Sequence, residues 1–195
     1  MNYLPKEIWQ YTVMDYLDSD DQIKIIKLKQ NLHQTDFYGR DVKNNDLIKI
    51  LAENIELSSE FDKSIEIKFK HNHDKIFLKS DKEQIGRAFF NLIKNSIESI
   101  QQKSEKTPNF NKKISIEILY NNEHIKFTII DNGIGFNQNK NIKEILSPYY
   151  TTKKNGTGLG LSIVNKIIND HNGELNFSSI LDGAKIEIYF RIDGN

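Results

Sequence analysis

Two glycine clusters, Asp131-Asn-Gly-Ile-Gly-Phe136 and Gly156-Thr-Gly-Leu-Gly-Leu161, are the stretches from which the fold can be inferred. The first cluster follows an alternating apolar run over residues 125–129, which predicts a β-strand. The second cluster leads into residues 162–171, whose apolar side chains recur at helical spacing. One cluster is therefore expected to end a strand and the other to begin a helix.

These two positions suit the binding of a nucleotide. Glycine is needed where the backbone takes a positive φ or approaches a ligand closely, and a helix N-terminus presents unpaired N–H groups to anions. The cluster at 156–161 is thus a candidate phosphate-binding loop. A carboxylate at a strand end, such as Asp131, can accept a hydrogen bond from an exocyclic amine like that of adenine. Each signal alone is weak, because a glycine pair after a strand is more often an ordinary turn.

A long amphipathic helix supplies the third part of the pattern. Ser80-Asp-Lys-Glu83 fits a capping box, and an apolar stripe over residues 85–100 follows it. Asn91 and Asn95 lie one turn apart on the flank of this stripe. Amide oxygens suit Mg²⁺, which typically takes one or two protein oxygens together with phosphate oxygens and water. Two asparagines alone would indicate a solvated helix edge, but in this order of motifs a nucleotide site is the better interpretation.

At these residues the chain resembles the ATP-binding domain of sensor histidine kinases, part of a larger group of ATPases that includes Hsp90, DNA gyrase and MutL. Asn91-Leu-Ile-Lys-Asn95 resembles the N box, Asp131-Asn-Gly-Ile-Gly135 the G1 box and Gly156-Thr-Gly-Leu-Gly160 the G2 box. Pro148-Tyr-Tyr-Thr-Thr-Lys153 resembles the F box and is most similar to that of nitrogen-regulation sensor kinases. The resemblance covers roughly residues 44–192.

The pattern of helices and strands predicts an α/β fold. Strands with one apolar face and three amphipathic helices imply a two-layer α/β sandwich, with the helices on one side of a mixed sheet. The resemblance implies the same Bergerat-type fold. We expect residues 44–195 to form the ATP-binding catalytic domain and residues 1–43 to form a short N-terminal helical segment, which could be the remnant of a dimerisation hairpin. Two strands, 64–69 and 75–79, are expected to pair through a hairpin turn that contains His71 and His73.

Composition narrows the function classes. Lys and Arg together number 27, as do Asp and Glu, so the net charge is zero. This charge gives no electrostatic reason to expect binding to nucleic acid or to an anionic membrane. The absence of cysteine excludes disulfides, thiolate metal sites and thiol catalysis. No apolar run reaches membrane-spanning length and no signal peptide is recognisable. We therefore expect a cytoplasmic protein.

The resemblance also implies which residues bind ATP and Mg²⁺. Asn95 is the expected Mg²⁺ ligand, and Asn91 and Lys153 are the expected catalytic residues. Lys153 could meet the γ-phosphate, although a solvated lysine is an equally good interpretation. The irregular segment between the two glycine clusters is expected to be a lid. The expected nucleotide-binding residues are Asn91, Asn95, Asp131, Gly133, Gly135, Thr152, Gly156, Thr157, Gly158, Leu159, Gly160 and Leu161.

The expected reaction is transfer of the ATP γ-phosphoryl group to a histidine on a helical hairpin, with a response regulator as a further partner. Hydrolytic relatives carry a glutamate at the position of Asn91 to activate water, and an amide cannot act as a general base. Asn91 therefore favours transfer over hydrolysis. Ala184 stands where the family often has threonine after the glycine of the last hairpin, which removes one hydroxyl from the surroundings of the adenine.

The sequence leaves open which residue accepts the phosphoryl group. His33 lacks the neighbouring proline of the family's acceptor box, so we expect the hairpin to lie elsewhere in a longer protein or in another chain. Two alternatives remain: a serine-protein kinase of the same fold, against which the Thr-Thr-Lys at 151–153 argues, and a nucleotide-binding interaction module. The aromatic face with Trp9 and Tyr16 could also close a homodimer through the N-terminal helices.

Overall fold

The structure is a computed structural model that describes residues 42–107, 109–136, 141–151 and 156–192. The predicted N-terminal helices, the dimerisation-hairpin remnant and His33 lie outside these ranges. The division of the chain at residue 43 therefore stays a prediction. In chain order, the described elements are β1 (Val42–Asp46), α1 (Leu47–Ser59), β2 (Glu66–His71), β3 (Phe77–Asp81), α2 (Lys82–Lys106), β4 (Lys113–Tyr120), β5 (His124–Asp131), α3 (Ile142–Ile145), α4 (Gly160–Asp170), β6 (Gly173–Ile180) and β7 (Gly183–Arg191).

The main sheet has five strands in the order β2-β4-β5-β7-β6. β2 and β4 run parallel, and the other three neighbouring pairs run antiparallel, so the sheet is mixed. Its inner face is apolar because isoleucine alternates with polar residues along β4, where Ile114, Ile116 and Ile118 are fully buried. The helices α1, α2 and α4 cover that face. The predicted two-layer α/β sandwich is confirmed.

The outer face of the sheet is charged. The Lys126 ammonium lies 2.7 Å and the Lys185 ammonium 2.9 Å from the Glu187 carboxylate. These hydrogen bonds from Lys126 and Lys185 lower the pKa of Glu187. Both faces of the sheet thus follow the period-2 pattern of the sequence, with one face for the core and one for solvent.

The long helix α2 carries the predicted apolar stripe, and Phe89 at its centre packs against Phe127 of β5 with ring centroids 4.9 Å apart. Its N-cap differs from the prediction. The Asp81 carboxylate accepts hydrogen bonds from the backbone N–H groups of Glu83 and Gln84 at 3.0 and 3.1 Å. The helix begins at Lys82, so Asp81 occupies the N-cap position, and the Ser80 hydroxyl donates to the Leu78 carbonyl at 3.1 Å instead.

The predicted hairpin between β2 and β3 is wrong. β3 pairs with β1 in a separate two-stranded sheet, whereas β2 pairs with β4. Asn72 explains the difference, because its side chain donates to the Tyr120 carbonyl and accepts from the Tyr120 N–H, both at 2.9 Å. That pair of bonds extends the β2–β4 ladder beyond His71 and replaces a turn. The His73 ring packs edge-on against the Tyr120 ring.

No group of three or more metal-ligating His, Cys, Asp or Glu side chains occurs in the part of the chain that the structure describes. No helix within the described ranges is long and apolar enough to cross a membrane.

Candidate nucleotide-binding site

A cavity of about 700 Å³ lies between α2, the loop after β5 and the segment that leads into α4. Its volume falls in the range of small-molecule and cofactor sites. The cavity brings together nine of the residues that the sequence predicts: Asn91, Asn95, Asp131, Gly135, Gly156, Thr157, Gly158, Gly160 and Leu161.

Asp131 is the buried ionisable group among the described residues that line this cavity. Its side chain ends β5 and is only 4% exposed. Its Oδ1 accepts a hydrogen bond from the Gly133 N–H at 2.9 Å and a longer one from the Ser99 hydroxyl at 3.5 Å. Burial raises the pKa of Asp131, and the Gly133 hydrogen bond opposes that rise. These hydrogen bonds hold the carboxyl group in place where Asp131 lines the cavity.

The first glycine of the loop after β5 serves packing. A Cβ at Gly133 would lie 2.6 Å from the Ser99 carbonyl carbon of α2, which is closer than any side chain allows. Gly133 does not line the cavity. It lets the loop approach α2, where the Ile134 N–H donates to the Ser99 hydroxyl at 3.0 Å. The Gly133 N–H also holds Asp131 Oδ1, and the binding role of Gly133 stays a prediction.

The second glycine of that loop meets the turn between β6 and β7. A Cβ at Gly135 would lie 2.6 Å from the Gly183 carbonyl oxygen, and a Cβ at Gly183 would lie 2.8 Å from the Asn132 Cα. The two turns therefore touch backbone to backbone. This contact lies where Ala184 of β7 is paired with Asp131 of β5, and the Ala184 N–H is one of the groups that oppose the rise in the pKa of Asp131.

The second glycine cluster lies against residues 147–150. Gly158 has a φ of 66°, and a Cβ there would lie 2.6 Å from the Tyr149 Cα. The Tyr149 N–H donates to the Gly158 carbonyl at 3.0 Å, which fixes the two segments to each other. Leu159, the N-cap of α4, makes no side-chain capping bond, and the N–H groups of a first turn of this kind can bind an anion. Leu159 itself does not line the cavity.

The two asparagines of α2 complete the site. Asn91 and Asn95 are half-buried and line the cavity one turn apart. A Cβ at Gly160 would lie 3.7 Å from the Asn95 side-chain nitrogen, so this amide lies at the start of α4. Amide oxygens beside a helix N-terminus form a donor set that fits Mg²⁺ together with phosphate oxygens.

Thr152 and Lys153 lie outside the described residues. The segment predicted as irregular contains the short helix α3, whose first turn is capped by Asn141 accepting from the Glu144 N–H at 2.9 Å. Tyr150 and Thr151, which directly precede Thr152 in the sequence, line the cavity.

Two serines of the site were missed by the sequence reasoning. Ser96 and Ser99 both line the cavity next to Asp131. The signal was present in the spacing, since Ser99 lies one turn beyond Asn95 on the same helix face.

Comparison with known proteins gives the family. The sequence profile of the histidine kinase-, DNA gyrase B- and HSP90-like ATPases matches residues 80–194. Sporulation kinase C of Bacillus subtilis is 36% identical over 115 residues, which are 59% of this chain and 24% of that protein. Nitrogen regulation protein NtrY of Azorhizobium caulinodans is 36% identical over 118 residues, which are 58% of this chain and 15% of that protein. The chain thus spans about a quarter of these curated relatives or less.

Solved structures agree with the sequence match. The catalytic domain of the histidine kinase ThkA in a nucleotide-free form superposes with a TM-score of 0.67 at 25% identity, covering 77% of this chain and 95% of that one. Full-length ShkA in complex with AMPPNP shares the fold, with a TM-score of 0.64 at 17% identity over 78% of this chain and 31% of that one. The chain therefore belongs to the histidine kinase-, DNA gyrase B- and HSP90-like ATPase family, and its described domain is of the sensor histidine kinase type.

Proposed function

We propose that this chain is the ATP-binding catalytic domain of a two-component sensor histidine kinase. It transfers the γ-phosphoryl group of ATP to a histidine on a helical hairpin, from which a response regulator takes it. The observation that carries this proposal is the single cavity that joins Asp131, the α2 asparagines and the glycine segment before α4. These parts provide, respectively, for an adenine, a metal and a chain of phosphates.

Different residues of the cavity contact different parts of the nucleotide. Asp131 accepts a hydrogen bond from the N6 amine of adenine, and its burial makes that contact hard to replace by water. The backbone of residues 156–158 and the first turn of α4 hold phosphate oxygens. Asn95, with Asn91 beside it, would hold Mg²⁺, which supplies charge neutralisation to the phosphate oxygens when it is bound.

The reaction is a displacement at the γ-phosphorus. The bond between the γ-phosphorus and the β,γ-bridging oxygen breaks, a bond from the acceptor imidazole nitrogen to phosphorus forms, and the imidazole proton leaves to solvent. Such transfer depends mainly on positioning and charge neutralisation. Asn91 lines the cavity but its amide cannot remove a proton from water. The site therefore favours a nucleophile that needs little deprotonation, and Thr152 and Lys153 are proposed to complete it from the loop before Gly156.

The partners follow from the reaction. The histidine-bearing hairpin comes from the remainder of a longer protein or from another chain, and the N-terminal helical segment could join a homodimer. A net charge of zero gives no case for nucleic acid. We place the protein in the cytoplasm, because its proposed substrate ATP and its response regulator are there.

The test is a transfer assay with ATP labelled at the γ-phosphate and an added hairpin domain from a kinase relative. We expect label on the hairpin that is lost in acid and kept in alkali, as a phosphorus–nitrogen bond requires. Acid-stable label would instead indicate a serine-protein kinase. ATP binding by calorimetry without transfer to any hairpin would indicate an interaction module. The Asn95→Ala variant serves as the background control.

A further inference from the structure

One buried hydroxyl in the site has no hydrogen-bond partner among the described residues. Among the described residues, the buried side-chain oxygens without a partner are those of Ser58 and Ser96. A buried polar group in a folded protein nearly always has a partner, because leaving it unsatisfied costs free energy. An exception needs an explanation, and the two serines differ in where they lie.

Ser96 lies on α2 and is 2% exposed, yet it lines the cavity. Ser58 lies near the end of α1 and does not line the cavity. The Ser96 hydroxyl is close enough to the Asp131 carboxyl to favour its ionised form, but it forms no hydrogen bond of ordinary geometry with any described group. Ser96 therefore carries a buried hydroxyl without a described partner, in a residue that lines the cavity beside the group expected to hold adenine.

The other polar groups around Asp131 are engaged. The Ser99 hydroxyl accepts from the Ile134 N–H at 3.0 Å and contacts Asp131 Oδ1 at 3.5 Å. The Gly133 N–H donates to the same Oδ1 at 2.9 Å. Of the two serines beside Asp131, Ser96 is therefore the one whose hydroxyl could donate to a bound base.

We propose that Ser96 is a specificity-determining residue, whose hydroxyl donates to N1 of the adenine ring, directly or across one water, while Asp131 accepts from the adjacent N6 amine. This assignment rests on the proposed function. The Watson–Crick edge of adenine presents an N6 donor beside an N1 acceptor, and an acceptor next to a donor on the protein matches that order. Hypoxanthine and guanine present the reverse order, with a carbonyl oxygen at position 6 and an N–H at N1.

The experiment compares ATP with 1-deaza-ATP, in which carbon replaces N1, on the wild type, Ser96→Ala and Ser58→Ala. Calorimetry gives the dissociation constants. We expect Ser96→Ala to weaken ATP binding about three- to tenfold, the range for one hydrogen bond between uncharged groups. It should leave 1-deaza-ATP binding unchanged, because that ligand lacks the acceptor. Ser58→Ala is the matched control and should change neither constant.

Equal weakening of both nucleotides by Ser96→Ala, or no weakening of either, would overturn the assignment of Ser96 while leaving the proposed function intact. A wild type that binds neither nucleotide would overturn the proposed function and this assignment together. Thermal unfolding of the nucleotide-free proteins separates damage from lost contact. Both serine variants should keep or raise the Tm, because each removes an unsatisfied buried hydroxyl. A lower affinity with an undiminished Tm is not what a merely structural role would give.

Discussion

The ammonium group of Lys103, in the last turn of α2, donates a hydrogen bond to the backbone carbonyl of Asn132 at 2.8 Å. The same ammonium contacts the Asp182 carboxylate in the turn between β6 and β7, and it lies 4.8 Å from the centre of the Phe110 ring. One side chain therefore connects α2 with both turns that flank Asp131.

Replacing Lys103 with methionine should lower both stability and ATP affinity. The Lys103 side chain is 20% exposed but that of Asp182 is 68% exposed, so most of the effect should come from the Asn132 carbonyl and little from the ion pair. We expect a loss of about 1.5–3 kcal/mol in the free energy of unfolding, the range for a hydrogen bond with a charged donor. Urea denaturation and calorimetry measure the two effects. Lys106→Met, on an exposed position in the last turn of the same helix, is the control, and equal effects of the two variants would contradict this role.

Asp131→Asn should separate binding from stability. The amide keeps the size of the carboxyl but offers adenine a poorer acceptor, so ATP binding by calorimetry should fall below detection. Burial raises the pKa of Asp131, so the folded protein binds its proton more tightly than the unfolded chain does. At neutral pH the buried charge is a cost, and the nucleotide-free variant should have a Tm equal to or above that of the wild type.

The same pKa shift predicts a pH dependence. Between the usual carboxyl value of 3.8 and the raised pKa of Asp131, the folded state holds more protons than the unfolded state. The contribution of this group to stability is therefore full below pH 3.8 and is lost as the pH rises through the raised pKa. The difference in unfolding free energy between the wild type and Asp131→Asn should change in this window and be flat above it. A difference that does not vary with pH would show that the carboxyl is not the group responsible.

Asn95→Ala should remove the metal dependence of nucleotide binding. The wild type should bind ATP more tightly with Mg²⁺ than with EDTA, and the variant should bind equally under both conditions. We expect the loss in the presence of Mg²⁺ to be at least about tenfold, the scale seen even for outer-shell partners of a metal. Asn54→Ala, in which an asparagine of α1 outside the cavity loses its bond to the Ile50 carbonyl, is the control. An unchanged metal dependence in Asn95→Ala would exclude Asn95 as the ligand.

Two glycine-to-alanine changes should have opposite effects. Gly158→Ala places an alanine at a backbone position with positive φ, which costs about 1–2 kcal/mol. It also brings the new Cβ into the backbone of Tyr149. ATP affinity should fall because the segment before α4 must move. Gly86→Ala, inside α2, meets nothing closer than the Asn54 amide nitrogen at 3.4 Å. It should raise the unfolding free energy by roughly 0.5–1 kcal/mol without changing ATP affinity. Thermal unfolding with and without ATP measures both.

Local patterns predicted most of the elements. The apolar spacing of α2 and the strict alternation along β4 are each decided by burial against one partner, so the periodicity of the sequence records them directly. Which strands pair with each other cannot be predicted in this way. β2 lies beside β4 because of contacts such as Asn72 with Tyr120, which are 48 residues apart, and no local pattern encodes such a contact.

The candidate site was predicted unevenly for a similar physical reason. Asp131 and the α2 asparagines could be found because their chemistry and spacing point to a nucleotide. A glycine needed for close packing on a helix has the same letter as one that faces a ligand, so Gly133 could not be told apart from Gly135. Ser80 and Asp81 are both good capping residues, and the start of α2 at Lys82, which the sequence pattern does not fix to one residue, decides between them.

The backbone contact between Gly135 and Gly183 limits how this domain can be recombined. A Cβ at either glycine would collide with backbone atoms of the other segment. A substitution at one glycine therefore cannot be compensated by a smaller residue at the other. The loop after β5 and the turn before β7, 48 residues apart in the chain, therefore have to be exchanged as a pair. A chimera that takes its loop from one relative and its last hairpin from another is expected to fold well only where both parents keep the two glycines.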